Sequence, residues 1–501
     1  MILAVEHEPV WTPATDILST ATPDRIEVCV IGAGIAGLST AYCLAKAGKR
    51  VLVLDDGKVG NGQSFCTTAH LSNVIDDRFE SLEKTRGKEA AKLAAGSHAA
   101  AIDFIEATAR DEGIECDFQR VDGYLFAPSA DEAKSIDGEE RAAREAGLDV
   151  ERMANFPIEG VHTGPCLRFA NQARFEPMRY LQGLAAAVIA HGGSIQTGKH
   201  VKRLQSGKVI ALETQNGQVF LADNVVVATN SPINGQLTLL AKMAPYITYV
   251  VALEAPRHTL PDDLFWDTED PYHYARTAKR DSDSEWLIVG GEDHRTGQAD
   301  DHEMRFAKLE RWARDHFPGV GTVHHRWAGQ VMETADGLAF IGPNPGDGEN
   351  VFIATGDSGM GMTHGTIAGM LLSDLILGRT NPWKDLYSPS RNVARSMGTY
   401  LSENLNSVWQ YTNWLTGGDV STEASIQPNS GAVIRQGMRK IAVYRDEEGE
   451  FHRCSAMCPH AKAVVQWNDA EKTWDCPAHG SRFDCGGKVI QGPANADLST
   501  E

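Results

Sequence analysis

The N-terminal part of the chain alternates between short apolar runs and glycine-rich turns. Residues 28–31 (VCVI) form a continuous apolar run, which is typical of a strand buried on both faces of a parallel sheet. An apolar stretch with helical spacing follows from 38 to about 47, and residues 51–54 (VLVL) predict a second strand. The order strand, helix, strand predicts a βαβ unit.

The same pattern returns near residue 350, whereas the C-terminal part follows a different one. Residues 351–356 (VFIATG) predict a strand that leads through a glycine-rich turn into an apolar helix. Between these regions, residues 285–290 (EWLIVG) predict a strand of a second sheet. From 424 onwards the short runs 432–435, 440–445 and 464–467 are separated by turns, a pattern typical of a small β domain.

These patterns predict three structural units. The first is an α/β Rossmann-like domain, the second an antiparallel-sheet substrate domain interleaved with it, and the third a C-terminal all-β domain. A length of 501 residues agrees with two or three domains. The predicted boundaries are an N-terminal arm at 1–25, the main module at 26–385, a helical linker at 386–423 and the all-β domain at 424–501.

Composition narrows the partners and the compartment. The formal net charge of −20 disfavours nucleic acid and anionic membranes as partners. Because no apolar stretch approaches the length of a membrane span and the N-terminus lacks a signal-peptide pattern, we expect no membrane insertion. Nine cysteines without a disulfide framework indicate a cytoplasmic protein.

The turn after the first predicted strand carries a dinucleotide-binding pattern. It reads Gly32-Ala-Gly34-Ile-Ala-Gly37, and an acidic residue, Asp55, ends the second strand. Gly32 permits the tight turn, Gly34 lets the backbone approach a pyrophosphate, and Gly37 lets the helix pack closely on the strand. Asp55 can accept a hydrogen bond from a ribose hydroxyl.

A second glycine-rich turn decides between FAD and NAD(P)H. Enzymes that pass electrons from NAD(P)H to a flavin usually carry two dinucleotide fingerprints, and this sequence contains one. Together with the first motif, the second turn resembles the D-amino-acid oxidase family of FAD enzymes, over roughly residues 26 to 385. That resemblance implies bound FAD, with a covalent link at Cys66 or His70 left open. It also implies FAD contacts from Thr67, Thr68, Gly356, Gly359, Gly361, Met362 and Thr363.

The last part of the chain pairs cysteine with histidine twice. Cys458-Pro-His460 and Cys476-Pro-Ala-His479 each offer one thiolate and one imidazole, the mixture that a Rieske [2Fe–2S] cluster needs. The flanking residues, which include GSRFD and GPA, also resemble the Rieske family. A structural Cys₂His₂ zinc site is the alternative, although zinc sites usually group two cysteines before two histidines.

Candidate catalytic residues are less sharply marked. Arg276 can clamp a carboxylate bidentately, and Tyr274 can donate a hydrogen bond to it. His364 follows the second glycine-rich turn, where the resemblance to the oxidase family implies a position near the flavin ring. For each of these residues, packing in the core is the alternative.

The sequence therefore predicts an FAD-dependent dehydrogenase fused to a Rieske domain. The resemblance implies oxidation of a small amine or N-substituted amino acid, with electrons leaving singly through the cluster to an external acceptor or donor protein. Two alternatives stay open: a reductase component of an oxygenase system, and a redox sensor without small-molecule turnover.

Overall fold

The computed structural model describes residues 7–15, 21–129, 134–154, 156–233, 237–393 and 417–500. Of the predicted helical linker at 386–423, residues 394–416 lie outside the described residues. Among the described residues, no helix combines the length and the apolar character needed to cross a membrane.

The first sheet is the α/β domain that the N-terminal pattern predicts. Its path runs β16-β17-β10-β1-β2-β7, with β8 and β9 attached beside β10. The pairs from β17 to β7 are parallel, which explains the continuous apolar runs of β1 and β2. The strands are β1 (Ile26–Ile31), β2 (Val51–Leu54), β7 (Ser194–Gln196), β8 (Val201–Gln205), β9 (Ile210–Thr214), β10 (Val219–Val227), β16 (Phe340–Pro343) and β17 (Val351–Thr355).

Helices cover this sheet and connect it to the rest of the chain. Helix α1 begins at Ile35, earlier than the apolar pattern predicts, because the turn of the chain is complete at Gly34. The helices are α1 (Ile35–Lys46), α2 (Gln63–Cys66), α3 (Phe79–Arg86), α4 (Lys88–Asp111), α5 (Lys134–Ala146), α6 (Pro177–Ala190), α7 (Leu237–Leu240), α8 (His302–His316), α9 (Gly361–Ile376) and α10 (Lys384–Tyr387), with a 3₁₀ turn at Glu423–Ser425.

The second sheet is antiparallel except for one parallel pair, β4 with β12. Its path runs β15-β11-β14-β13-β12-β4-β6-β3, and β5 pairs with β6. Its strands alternate along the chain with elements of the first domain, so the two domains are interleaved as predicted. The strands are β3 (His70–Leu71), β4 (Gln119–Phe126), β5 (Val150–Met153), β6 (Cys166–Arg174), β11 (Met243–Pro256), β12 (Leu264–Asp267), β13 (His273–Lys279), β14 (Ser284–Arg295) and β15 (Val323–Thr334).

The C-terminal domain consists of two small antiparallel sheets, which confirms the all-β prediction. Its own apolar core includes Val433, Ala442, Trp474 and Phe483, so the domain has a separate packing centre. One sheet contains β18 (Ser430–Gln436), β19 (Arg439–Arg445) and β20 (Phe451–Ser455). The other contains β21 (Gln466–Asn468), β22 (Thr473–Asp475), β23 (Arg482–Asp484) and β24 (Val489–Gln491).

Candidate functional site

A cleft of about 330 Å³ lies outside the carboxyl ends of the parallel strands. Residues that follow β1, β2, β10 and β17 line one side of it, and residues of β11, β13 and β15 line the other. This is where open α/β sheets bind their ligands. The cleft brings together these predicted residues: Gly32, Gly34, Asp55, Thr67, Thr68, Tyr274, Gly359, Gly361, Met362 and His364.

The turn between β1 and α1 has no room for side chains. Gly32 has φ +106°, and a Cβ there would lie 2.4 Å from the carbonyl oxygen of Ala228. A Cβ at Gly37 would lie only 1.9 Å from the carbonyl oxygen of Gly32. At Gly34 a Cβ would enter the cleft wall 2.9 Å from Ser64 Oγ. The turn therefore fits a group that lies close against the backbone, as the pyrophosphate of a dinucleotide does.

Asp55 fixes the shape of this turn. Its Oδ2 accepts a hydrogen bond from the backbone N–H of Ala33 at 2.6 Å, and its Oδ1 accepts one from Gly57 at 2.7 Å. Burial raises the pKa of the Asp55 carboxyl to about 6. The carboxylate lines the cleft, and its oxygens have lone pairs left for a ribose hydroxyl, so the predicted contact is sterically possible.

Three of the residues predicted to contact FAD do not line the cleft. Gly37 and Gly356 permit close packing: a Cβ at Gly356 would lie 2.4 Å from the Thr334 side chain. Thr363 Oγ1 lies 2.8 Å from His98 Nδ1, so this side chain joins α9 to α4. These three residues shape the turns and the packing of α9 against α4.

His364 borders the cleft as a neutral imidazole. It is 2% exposed, and burial lowers its pKa to about 4. Nδ1 lies 2.8 Å from the carbonyl oxygen of Asp357, and Nε2 accepts from the backbone N–H of Ala339 at 3.5 Å. Because both ring nitrogens are engaged with backbone groups, His364 helps to hold the second glycine-rich turn in place.

Tyr274 lies in the cleft, whereas Arg276 does not. The Tyr274 hydroxyl is 3.3 Å from Thr248 Oγ1, and burial raises its pKa. The guanidinium of Arg276 is instead buried, where it donates to the carbonyl oxygens of Thr68 at 2.6 Å and Phe175 at 3.0 Å. The predicted carboxylate clamp does not fit this placement, since the Arg276 donors are directed at backbone carbonyls beside the strand.

The cysteine–histidine pairs lie on two facing loops of the C-terminal domain. Cys458 and His460 belong to the loop between β20 and β21, and Cys476 and His479 to the loop between β22 and β23. The two imidazole rings are 5.0 Å apart, and both cysteines are buried. The side chains of the two cysteines interact directly.

The Nδ1 atoms of His460 and His479 are available to bind a metal cluster. The Nδ1 atoms of His460 and His479 are buried and have no hydrogen-bond partner among the described residues. Buried polar atoms are rarely left unpaired, so two such atoms on the same two loops as two buried cysteines indicate metal ligands. Burial lowers the pKa of His479 to about 4, which keeps that ring neutral and able to bind metal.

The C-terminal domain forms part of the cleft wall. Val489, Ile490, Gln491, Gly492, Ala494 and Asn495 line the cleft, and we refer to 489–495 as the covering loop. Asn495 Nδ2 donates to the carbonyl oxygen of Lys202 at 2.8 Å. Gln63 Nε2 donates to Gln491 Oε1 at 2.7 Å. No local sequence pattern marks these residues, because each contact joins distant parts of the chain.

Comparisons with known proteins agree with both parts of the chain. Residues 27–375 match the family described as FAD dependent oxidoreductase, and residues 418–500 match the Rieske [2Fe-2S] domain. A putative Rieske 2Fe-2S iron-sulfur protein, YhfW, of Bacillus subtilis (strain 168) is 28% identical over 97% of this chain and 96% of its own.

Two further comparisons cover the first part only. The gamma-glutamylputrescine oxidoreductase of Escherichia coli (strain K12) is 24% identical over 70% of this chain and 84% of its own. The crystal structure of glycine oxidase from Geobacillus kaustophilus superposes with a TM-score of 0.62, at 18% identity, over 74% of this chain and 99% of that one. The latter similarity shows the shared fold.

Proposed function

We propose a function from one premise: the chain belongs to the FAD dependent oxidoreductase family and carries a C-terminal Rieske [2Fe-2S] domain. Members of this family oxidise amino acids or amines, and this chain is an FAD oxidoreductase for substrates of that kind. Our proposal is that it is a dehydrogenase for a small amine or N-substituted amino acid. The electrons taken from the substrate pass one at a time through the Rieske domain to a partner protein in the cytoplasm.

The two prosthetic groups supply complementary chemistry: FAD a two-electron oxidation of the carbon next to nitrogen, and the cluster one-electron transfer. The residues that would hold FAD are those of the glycine-rich turns and Asp55. The residues that would hold the cluster are Cys458, His460, Cys476 and His479. The surrounding side chains of the protein position the substrate and the two prosthetic groups.

A direct contact between the cleft and a cluster loop carries the proposal. Gln330 lines the cleft, and its side-chain Nε2 donates to the carbonyl oxygen of Gly480 at 2.8 Å. Gly480 directly follows the predicted ligand His479. One side chain therefore spans the distance between the cleft wall and the cluster loop, as a short internal electron route requires.

Three glutamines hold this contact together. The backbone N–H of Gln330 donates to Gln63 Oε1 at 2.5 Å. The side-chain Oε1 of Gln330 accepts a hydrogen bond from Gln491 Nε2. Gln63 in turn donates to Gln491. The result is a closed set of hydrogen bonds among α2, β15 and the covering loop, which positions the Rieske domain on the cleft.

Anaerobic mixing of the purified protein with a library of amines and amino acids tests the proposal. We expect a substrate to bleach the FAD absorbance, and the cluster to become reduced afterwards in the same molecule. Bleaching by NADH alone would instead support a reductase component. If no compound bleaches the flavin, the protein is a sensor or carrier and the proposal is wrong.

Replacing Gln330 with Met should slow electron transfer from the cleft to the cluster. Met has a similar length but neither donates nor accepts the hydrogen bonds to Gly480 and Gln491. Two lost bonds of about 1 kcal/mol each lower the equilibrium constant for seating of the domain by roughly ten- to thirtyfold, and the transfer rate should fall by up to that factor. Stopped-flow absorbance at cluster wavelengths measures this rate after rapid flavin reduction.

The matched control for this change is Gln436→Met, because Gln436 is exposed on the end of β18 in the same chain. It should leave the transfer rate unchanged. Equal rates in wild type and Gln330→Met, at full FAD and iron content, would show that the glutamine contact has no part in the electron route.

A further inference from the structure

One face of the second sheet is directed at the cleft, and carboxyl side chains of β14 and β15 lie on that face. Side chains alternate between the two faces of a strand, so residues two apart share a face. On β15, Gly329, Gln330 and Val331 line the cleft, and Glu333 shares the face of Gly329 and Val331. On β14, Asp293 lies on the face of Arg295, which pairs with Tyr246 opposite Val331.

Two further carboxyls come from outside this sheet. Asp357 lines the cleft, and its Oδ1 accepts from the backbone N–H of Met332 at 3.3 Å. Asp76 Oδ2 accepts from the Tyr272 hydroxyl at 3.0 Å, and a Cβ at Gly359 of the cleft wall would lie 2.2 Å from that oxygen. We call Asp76, Asp293, Glu333 and Asp357 the acidic end of the cleft. Asp357 lines the cleft, whereas the other three lie next to residues of its wall: Asp76 against Gly359, Asp293 bonded to Thr248, and Glu333 two residues after Val331.

These carboxyls interact with one another, and the donors and cations around them compensate only part of their burial. Burial, followed by neighbouring carboxylates, raises the pKa of Asp76 to about 7 and that of Glu333 well above its ordinary value. Burial also raises the pKa of Asp293 to about 7. Asp293 Oδ1 is buried and accepts no hydrogen bond from the described residues. A buried acceptor without a donor, beside a cleft, indicates a donor supplied by a ligand.

The cations nearest to this end form hydrogen bonds with other groups, and Arg305 and His273 lower the pKa of Asp293 less than burial raises it. Arg305 donates to Asp301 Oδ1 at 2.8 Å and to the carbonyl oxygen of Glu292 at 2.6 Å. His273 Nδ1 lies 2.8 Å from Asp267 Oδ2. Arg295 donates to the Tyr246 hydroxyl at 3.3 Å. Arg78, a partly buried residue close to Asp76, lowers that carboxyl's pKa only as a minor contribution.

The cationic side chains that line the cleft are found at its other end. Among the described residues that form its wall, they are Lys199 and His200. His200 Nδ1 lies 3.1 Å from Asp56 Oδ2, next to Asp55 and the first glycine-rich turn. The acidic end therefore has carboxyls and tyrosine hydroxyls, but no lining arginine or lysine that could pair with a substrate carboxylate.

We propose that the acidic end of the cleft selects substrates that carry a positively charged amine and no carboxylate near the oxidised carbon. The inference rests on the proposed function and narrows it from amines or N-substituted amino acids to cationic amines. A carboxylate would add a further negative charge to a group of acids in a region of low dielectric constant, where like charges repel strongly. An ammonium group satisfies the same acids, and the rings of Tyr272 and Tyr274, 5.7 Å apart, add cation–π attraction.

Selection of a cation makes binding depend on pH in a defined direction. The ligand binds the ionised carboxylates, whose pKa is raised in the empty cleft. Affinity should therefore be high above about pH 7 and fall as the pH decreases through about 7 to 6, where Asp293 and Asp357 take up protons. Binding at pH 7 should accordingly release protons to the solvent.

Two non-oxidisable probes test this in the FAD-loaded protein. Tetramethylammonium represents the cation and propionate the carboxylate, and each is titrated while the flavin absorbance is followed. We expect tetramethylammonium to perturb the spectrum with release of protons, and propionate to bind at least about tenfold more weakly. Glu333→Gln, which replaces a carboxyl that can ionise beside a cation with an amide of the same shape that cannot, should weaken tetramethylammonium binding about tenfold.

A second variant and a control keep the test decisive. Asp293→Asn should weaken cation binding by a similar factor, and it serves if Glu333→Gln does not fold. Glu303→Gln, at an exposed position on α8, should bind like wild type. Tighter binding of propionate than of tetramethylammonium would overturn the inference while leaving amino acid oxidation intact. Cation binding that Glu333→Gln weakens, in a protein whose flavin no amine reduces, would uphold the cation site and refute the proposed function.

Discussion

Replacing Cys476 with Ser should remove the Rieske cluster and, with it, turnover with an external one-electron acceptor. Cys476 is 1% exposed, its side chain interacts with that of Cys458, and it shares a loop with His479. Changes to residues that merely support a metal ligand cost about 10- to 100-fold in metal affinity or activity. Loss of a ligand should therefore reduce acceptor turnover by more than about 100-fold.

Reduction of FAD by substrate should survive this change within about twofold in rate, since the glycine-rich turns and Asp55 lie outside the C-terminal domain and Cys476 does not line the cleft. Iron analysis and electron paramagnetic resonance measure the cluster, about two irons per protein in wild type. Anaerobic absorbance measures the flavin. A variant that binds FAD and lacks iron, but still reduces the acceptor at the wild-type rate, would show that electrons bypass the Rieske domain.

Cys454→Ala is the matched control for this experiment. Cys454 is 2% exposed in the core of the same domain, and its sulfur lies 3.9 Å from the carbonyl oxygen of Ala442, away from the predicted ligands. Its removal leaves a small cavity that costs about 1 kcal/mol of stability. Iron content and acceptor turnover should both remain those of the wild type.

Gly37→Ala should abolish FAD binding and destabilise the first domain. The new Cβ would lie 1.9 Å from the carbonyl oxygen of Gly32, so α1 must move away from the turn. We expect a loss of at least about 3 kcal/mol in the free energy of unfolding, at the upper end of single-residue effects. Flavin content after purification and a thermal melt measure the result.

The control for steric crowding is Gly96→Ala in the interior of α4. No atom lies within 4 Å of a Cβ at this position, apart from the helix itself. Alanine favours a helix over glycine by about 0.5–1 kcal/mol, so this variant should be slightly more stable and bind FAD normally. A Gly37→Ala protein with full flavin content and an unchanged melting temperature would contradict the expected clash.

The predictable part of this protein is the part that local sequence determines. The strand, glycines and helix around Gly32 form one continuous segment, so their spacing alone indicates their geometry. The same holds for the cysteine–histidine pairs, since each pair lies within one short loop. The residues that line the end of the cleft were less predictable. Tyr274 and Arg276 share one face of β13, yet of the two only Tyr274 lines the cleft.

The residues that the sequence analysis did not identify were missed for one physical reason. Asp76, Asp293 and Glu333 belong to separate elements, and only the register of β11, β14 and β15 brings two of them to one face. Gln63, Gln330 and Gln491 meet across two domains. Neither set has a periodicity or spacing that a single sequence displays, because their proximity results from tertiary packing.

The covering loop has a consequence for how the protein acquires its cofactor. A ribosome produces the first domain before the C-terminal one, so the cleft exists for a time without residues 489–495 over it. FAD should enter most rapidly in that interval, and flavin bound to the finished protein should exchange slowly, at the rate at which the C-terminal domain detaches. The order of synthesis would then determine how completely the protein is loaded with flavin.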